Sequence, residues 1–139
     1  MSKTEDTGLL LWQASNKWQR ELNKALKKHD ITHVQYFLLA AAEHLGQLKK
    51  EITQMSLALY SGIDKMMASK VLRTLEKKRL ISRRSSENDS RSIRIQITSF
   101  GKLTLSKAVA EVGKSDRTFF KNVSKKQKSF NKKLKSLIS

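Results

Sequence analysis

Apolar residues recur every three or four positions over most of this chain, and every second position over one short stretch. The first helical stripe is Leu11, Ser15, Trp18, Leu22, Ala25 and Leu26, widened by Trp12, which predicts a helix over about 8–28. A second begins at Thr32, a natural N-cap, with Gln35 three residues on completing a capping box. Val34, Phe37, Leu38, Ala41 and Leu45 face one side of it, and the run Ala40, Ala41 and Ala42 allows close helix packing. Thr53 caps a short third helix, with Ile52 and Leu57 at the two positions of a hydrophobic staple and Gly62 as its left-handed end. Asp64 caps a fourth that runs to about Lys78. Met67, Val71, Leu72 and Leu75 make its inner face; Lys65, Met66, Ser69, Lys70 and Arg73 lie opposite.

The period changes after Leu80 and Ile81. "LISRRSS" and "RSIRIQIT" read as two strands joined by a polar loop over 85–92. In the second, Ile93, Ile95 and Ile97 point inward and Arg94 and Gln96 outward. Two short helices around a tight glycine turn, followed at once by a hairpin, make a winged helix-turn-helix. Thr98 then starts a fifth helix to about 122, kept in period by Leu105, Ala108, Val109, Val112, Phe119, Phe120 and Val123. Ser124 and Gln127 match a further capping box and open a sixth over about 125–138, striped by Phe130, Leu134, Leu137 and Ile138. The predicted fold is mainly α with a small β-hairpin wing, one domain over 1–139. Its terminal helices are too amphipathic to be loose tails, so they need a surface to bury against.

Charge decides what such a fold would touch. The net charge is +17, and it is uneven: residues 1–60 carry 8 Lys/Arg against 6 Asp/Glu, residues 61–139 carry 21 against 6. A one-signed field of this size points to a polyanion, nucleic acid ahead of a membrane surface. No apolar run approaches the roughly 20 residues of a membrane span, and the N-terminus lacks a signal-peptide pattern, so the chain reads as cytoplasmic. The absence of cysteine excludes disulfides, thiolate chemistry and Cys-based zinc sites. The absence of proline agrees with a helical chain. No nucleophile–base set, phosphate-cradling glycine loop or metal cluster is visible, so no cofactor, no metal and no enzymatic activity are expected.

Several correctly spaced fragments carry a resemblance. They are Thr53-Gln54 with Leu57-Ala58, then Gly62-Ile63-Asp64; Leu75-Glu76-Lys77-Lys78 with Leu80-Ile81 and Arg83; and Asp89-x-Arg91 followed by Thr98-x-x-Gly101. Together these resemble the MarR family of winged-helix transcription regulators over roughly 8–138. The resemblance implies a homodimer in which helices at about 8–30 and 102–138 interlock, leaving about 32–100 as the DNA-binding region. Such a dimer sits on a pseudo-palindromic duplex with its recognition helices roughly 34 Å apart. It also implies a possible small-molecule effector. Two departures stand out: Arg79 where the family commonly has Gly, and Ser90 where a second wing Arg is frequent.

Within that frame Lys65, Met66, Ser69, Lys70 and Arg73 face the major groove, where Ser and Lys reach base edges and long apolar chains would obstruct. Thr53 and Gln54 stand at a helix N-terminus, a favourable place for a phosphate, although Thr53 serves equally as a cap alone. Arg83, Arg84 and Arg94 lie at or beside phosphates. Arg91 is the residue for the narrow, electronegative minor groove, and Asp89 shapes the tip that presents it. Leu11, Trp18, Phe119, Phe120, Phe130, Leu134, Leu137 and Ile138 belong to the dimer seam. His29, His33 and His44 match no metal-ligand spacing. Trp12, Trp18, Tyr36, Phe37 and Tyr60 read as core, with an effector pocket as the alternative. The 11 Lys/Arg against 2 Asp/Glu over 102–139 are expected on outer helix faces, extending the electrostatic footprint. The competing function is a non-specific architectural DNA- or RNA-binding protein.

Overall fold

In the computed structural model, which describes residues 6–85 and 93–139, α1 (Thr7–Leu26) ends in a 3₁₀ turn (Lys27–His29). It leads to α2 (His33–Gln47), α3 (Gln54–Ser61) and α4 (Lys65–Lys77). A hairpin of β1 (Ile81–Ser85) and β2 (Ile93–Ile97) follows, then α5 (Ser99–Phe119), a second 3₁₀ stretch (Lys121–Lys126) and α6 (Gln127–Ile138). This is a winged helix-turn-helix with long helices at both ends. Among the described residues no helix is long and apolar enough to cross a membrane.

Local chemistry sets the helix starts. Thr32 accepts from the Gln35 amide while the Gln35 carbonyl oxygen accepts from the Thr32 amide, at 3.2 Å each. Thr53 and Ser56 form the same reciprocal pair at 3.0 and 2.9 Å. Asp64 accepts from the Met67 amide at 2.8 Å. Helix ends are just as regular. At the close of α4 the Arg79 amide donates to the Glu76 carbonyl and the Leu80 amide to the Leu75 carbonyl, both at 2.9 Å. That crossed pair is the Schellman arrangement, and it needs a left-handed residue between the two. Gly62 fills that place after α3, but Lys49 fills it after α2 and Arg79 after α4, at φ 57° and 63°.

The core lies where α2 crosses the other elements. Leu38, Leu39 and Leu45 of α2 pack with Leu22 and Leu26 of α1, Leu57 of α3, Leu72 and Leu75 of α4, Ile95 and Ile97 of β2, and Leu105 and Ala108 of α5. Lys78 fastens α4 to the start of α2, its Nζ donating to the Asp30 carbonyl at 2.6 Å and to Gln35 Oε1 at 3.1 Å. The hairpin is antiparallel, with Ile81 opposite Ile97, Arg83 opposite Ile95 and Ser85 opposite Ile93. A further backbone bond, Ile95 amide to Ile52 carbonyl at 2.8 Å, ties β2 to the segment entering α3.

One joint holds the wing, the end of α4 and the start of α5 together. The Thr98 hydroxyl donates to the Arg79 carbonyl at 2.7 Å and leans on that of Leu80 at 3.1 Å, while accepting from the Gly101 amide at 2.9 Å. The Thr98 amide also donates to the Leu80 carbonyl, at 3.1 Å. A methyl group on Gly101 would overlap that same carbonyl oxygen, which is why a glycine opens α5.

Five expectations from the sequence are corrected. Ile93 is 48% exposed: it pairs with Ser85 at the open end of the hairpin, beyond the reach of the helices. The buried face of α4 is Ala68, Leu72 and Leu75, with Met67 outside, because the small Ala68 lets α4 approach its neighbours. The Ser124–Gln127 capping box does not form; α6 starts at Gln127, its N-cap position Lys126 makes no side-chain cap, and Ser124 sits inside the 3₁₀ stretch. That stretch also ends α5 at Phe119, short of Val123. Val109 is exposed on α5.

Two substitutions probe the joint. Arg79→Gly relieves the left-handed conformation and should raise stability to urea unfolding by about 1 kcal/mol, while Arg79→Ala changes it little. Gly101→Ala should cost about 1–3 kcal/mol through overpacking against the Leu80 carbonyl, read from the same unfolding midpoints.

Candidate nucleic-acid interface

The outer face of α4 is set by what its inner face buries. With Ala68, Leu72 and Leu75 fully enclosed, the helical period turns Lys65, Met66, Lys70 and Arg73 to solvent and leaves Ser69 half-buried at their edge. Met66 is 84% exposed, an apolar tip left uncovered among the described residues. Asp64 at one end and the left-handed Arg79 just past the other hold the helix in place.

The wing base supplies the second part. Arg84 stands directly across the ribbon from Arg94, a like-charged pair that costs energy unless an anion lies between or beside it. Glu51 supplies part of that compensation: Arg94 Nε donates to Glu51 Oε1 at 2.9 Å. Beside this pair lies a groove of about 510 Å³ lined by Lys49, Lys50, Glu51, Arg84, Arg94 and neighbouring backbone. The left-handed turn after α2 aims Lys49 and Lys50 there, and the Ile95–Ile52 bond closes the distance. Sequence patterning did not single out these two lysines. Their signal was the adjacent pair just ahead of a capped helix; the tertiary bond that brings them to the wing left no local trace.

Other expected residues fall differently. Arg83 shares its face of the ribbon with Ile81 and Ile95, so its side chain is turned inward. Its Nε lies 3.8 Å from Glu76 Oε1, too long for a hydrogen bond, and buried Nε and Nη2 have no hydrogen-bond partner. Thr53 Oγ1 is engaged as a cap, and Gln54 is half-buried at the first turn of α3. Asp89 and Arg91, with the rest of the wing tip, lie outside the described residues.

Residues expected in a dimer seam are partly uncovered in the single chain. Leu11 on α1 is exposed, as are Leu134, Leu137 and Ile138 on α6, Ile138 by 85%. Trp18 is half-buried: its indole Nε1 donates to Asp116 Oδ1 of α5 at 2.9 Å, and its ring lies 5.8 Å from that of Phe37. Phe119, Phe120 and Phe130 stack in series at the α5–α6 turn, with ring centroids 4.9 and 6.0 Å apart.

The aromatic residues do not gather into one site. Trp18, Tyr36 and Phe37 form one cluster, with burial and the Asp116 carboxylate pushing the Tyr36 phenol above its ordinary value. Tyr60 stacks on His44 instead, at 5.3 Å, and Trp12 stands at the surface. His33 is held by Asn23, and burial lowers its imidazole below the usual value. Among the described residues no three His, Asp or Glu side chains gather where a metal ion could sit.

Comparison with known proteins adds to this geometry. Residues 31–93 match the model of the MarR family. The chain is 40% identical over 120 residues to an uncharacterised HTH-type transcriptional regulator, YdcH, of Bacillus subtilis (strain 168), covering 86% of this chain and 82% of that protein. Among solved structures, a DNA complex of MepR from S. aureus superposes with a TM-score of 0.86 at 20% identity, covering 97% of this chain and 98% of that one. BpsR of Bordetella bronchiseptica, whose DNA binding is regulated by 6-hydroxynicotinic acid, superposes at 0.90 and 16% identity, over 100% and 97% of the two chains.

The groove beside the wing base gives a direct test. Lys49→Gln with Lys50→Gln should flatten the slope of log affinity against log salt by about 2 for a duplex while leaving the order of preferred sequences unchanged, as measured by fluorescence anisotropy.

Proposed function

The chain belongs to the MarR family of transcriptional regulators, and from that premise we propose that it acts as a homodimer on a pseudo-palindromic duplex site. It is a regulator and not an enzyme. The observation that carries the proposal is α4. One face is fully enclosed, and the other presents Lys65, Met66, Ser69, Lys70 and Arg73 to solvent on a helix pinned at both ends. In the major groove Lys70, Arg73 and Ser69 reach base edges or phosphates, and Met66 packs on a thymine methyl.

Arg84, Arg94, Lys49 and Lys50 contact phosphates beside the wing, and Gln54 adds a contact at the start of α3. Thr53 supports it as a cap. Arg83 steadies the wing from inside. Arg91 enters the minor groove from a tip shaped by Asp89. Residues of about 8–30 and 102–138 form the dimer, with Leu11, Trp18, Phe119, Phe120, Phe130, Leu134, Leu137 and Ile138 in its seam; about 32–100 bind DNA. The exposed apolar edges of α1 and α6 support this division, since surfaces of that kind mark an interaction site. A small organic ligand modulates binding, a reading supported by the regulation of DNA binding in BpsR. The protein meets its duplex in the cytoplasm.

Selection of bound duplexes from a random pool tests the proposal. An inverted repeat with half-sites about one helical turn apart should emerge, bound at least about 10³-fold more tightly than unrelated DNA. Arg91→Ala and Arg73→Gln should each weaken that complex by about 1–3 kcal/mol. A pool that never converges would favour the non-specific architectural reading.

A further inference from the structure

The reading above uses one edge of α6 and leaves its lysines unexplained. From Arg117 to Ser139 the chain carries eight Lys/Arg and not one Asp or Glu. The fold does not spread these charges evenly. The 3₁₀ stretch Lys121–Lys126 and α6 border a groove of about 640 Å³ lined by Lys121, Lys125, Lys126 and Lys133, with Ser124 and Ser129 among them and the seam residue Phe130 at its border with the dimer surface. All four lysines are exposed, and none makes an ion pair among the described residues. The nearest acid along the chain, Asp116, is engaged by the Trp18 indole. Like charges gathered in a concavity repel one another, and the same geometry concentrates their field on an incoming anion.

Position separates this groove from the interface already described. α5 begins at the Thr98 joint beside the wing and runs 21 residues, about 31 Å, before the groove opens at its far end. α6 packs chiefly on the 3₁₀ stretch, and that stretch on α5. A distance of about 30 Å is several screening lengths at physiological salt, so a duplex held by α4 and the wing gains little from these lysines.

We propose that the groove between the 3₁₀ stretch and α6 is a second phosphate-binding surface that takes the backbone of a second DNA duplex. One dimer then bridges two segments while its winged helices hold one of them. This rests on the DNA-binding reading above. A duplex fits better than a lipid bilayer for two reasons. The groove is concave, so a phosphate ridge enters where a flat headgroup layer does not. The apolar edge of α6 that a membrane helix would insert is the edge assigned to the dimer seam. Binding one duplex also raises the effective concentration of neighbouring DNA at the second surface.

The test is capture of a labelled duplex of unrelated sequence by protein already bound to an immobilised duplex carrying the selected site. The native chain should retain the second duplex. K121Q/K125Q/K126Q/K133Q should lose that retention at least about tenfold at physiological salt, with a salt slope flatter by about 3–4, yet keep its sedimentation mass, thermal midpoint and affinity for the immobilised site. Retention by the quadruple variant, or none by the native chain, overturns the proposal. Sedimentation of the protein–duplex complex with phosphatidylglycerol vesicles, lost in the same variant, together with no bridging, overturns it in favour of a membrane surface. K65Q/K70Q/R73Q separates the two readings: it should lose the selected site while still holding unrelated duplex through the groove. If no selected site exists at all, salt-sensitive binding of unrelated duplex is read in the K65Q/K70Q/R73Q background, and its survival after the four groove lysines are also replaced sinks the second surface.

Discussion

Two backbone carbonyls, those of Arg79 and Leu80, fix the geometry on which everything else depends. They close α4 and lead into the hairpin, and Thr98 draws the start of α5 onto both through one hydroxyl and one amide. Because Gly101 carries no side chain, α5 approaches until its backbone touches that of Leu80. A long helix whose first turn is locked in this way acts as a rigid arm. At its far end α5 is tied to α1 through the Asp116–Trp18 hydrogen bond, so the same helix joins α1 to α4 and the hairpin. The joint is polar and local, and the apolar core around Leu38, Leu39, Leu72 and Leu75 gives it a fixed support.

The charge distribution follows from that architecture. Positive residues do not simply coat the protein; they collect where the fold leaves helix ends and concavities. The cross-strand pair of Arg84 and Arg94 is unfavourable in isolation, and Glu51 pairs with Arg94 beside it. Placing such a pair beside Lys49 and Lys50 concentrates positive potential in the groove they line. The same logic holds at the far end of α5, with no acid to offset the lysines.

Much of this was legible in the sequence, because it rests on short-range chemistry. The caps at Thr32, Thr53, Asp64 and Thr98 and the left-handed Gly62 each need only neighbours within four residues, and all form as the spacing implies. Features that depend on distant partners were misread. Alternation placed Ile93 inward with Ile95 and Ile97, but a period says which face a residue shares, not where the covering layer ends. Met67 looked like core because it is apolar; the smaller Ala68 is buried because close helix approach rewards small side chains. Ser124 and Gln127 had the spacing of a capping box without the backbone to use it. Lys49 and Lys50 joined the wing through a single tertiary bond. For Asp89 and Arg91 the sequence remains the whole of the case.

The left-handed positions at Lys49 and Arg79 have a consequence for what can replace them. Glycine at either site relaxes the left-handed backbone. Each such step also removes a cation from the surface. At these two positions, relaxed backbone and positive charge are therefore alternatives that one side chain cannot supply together.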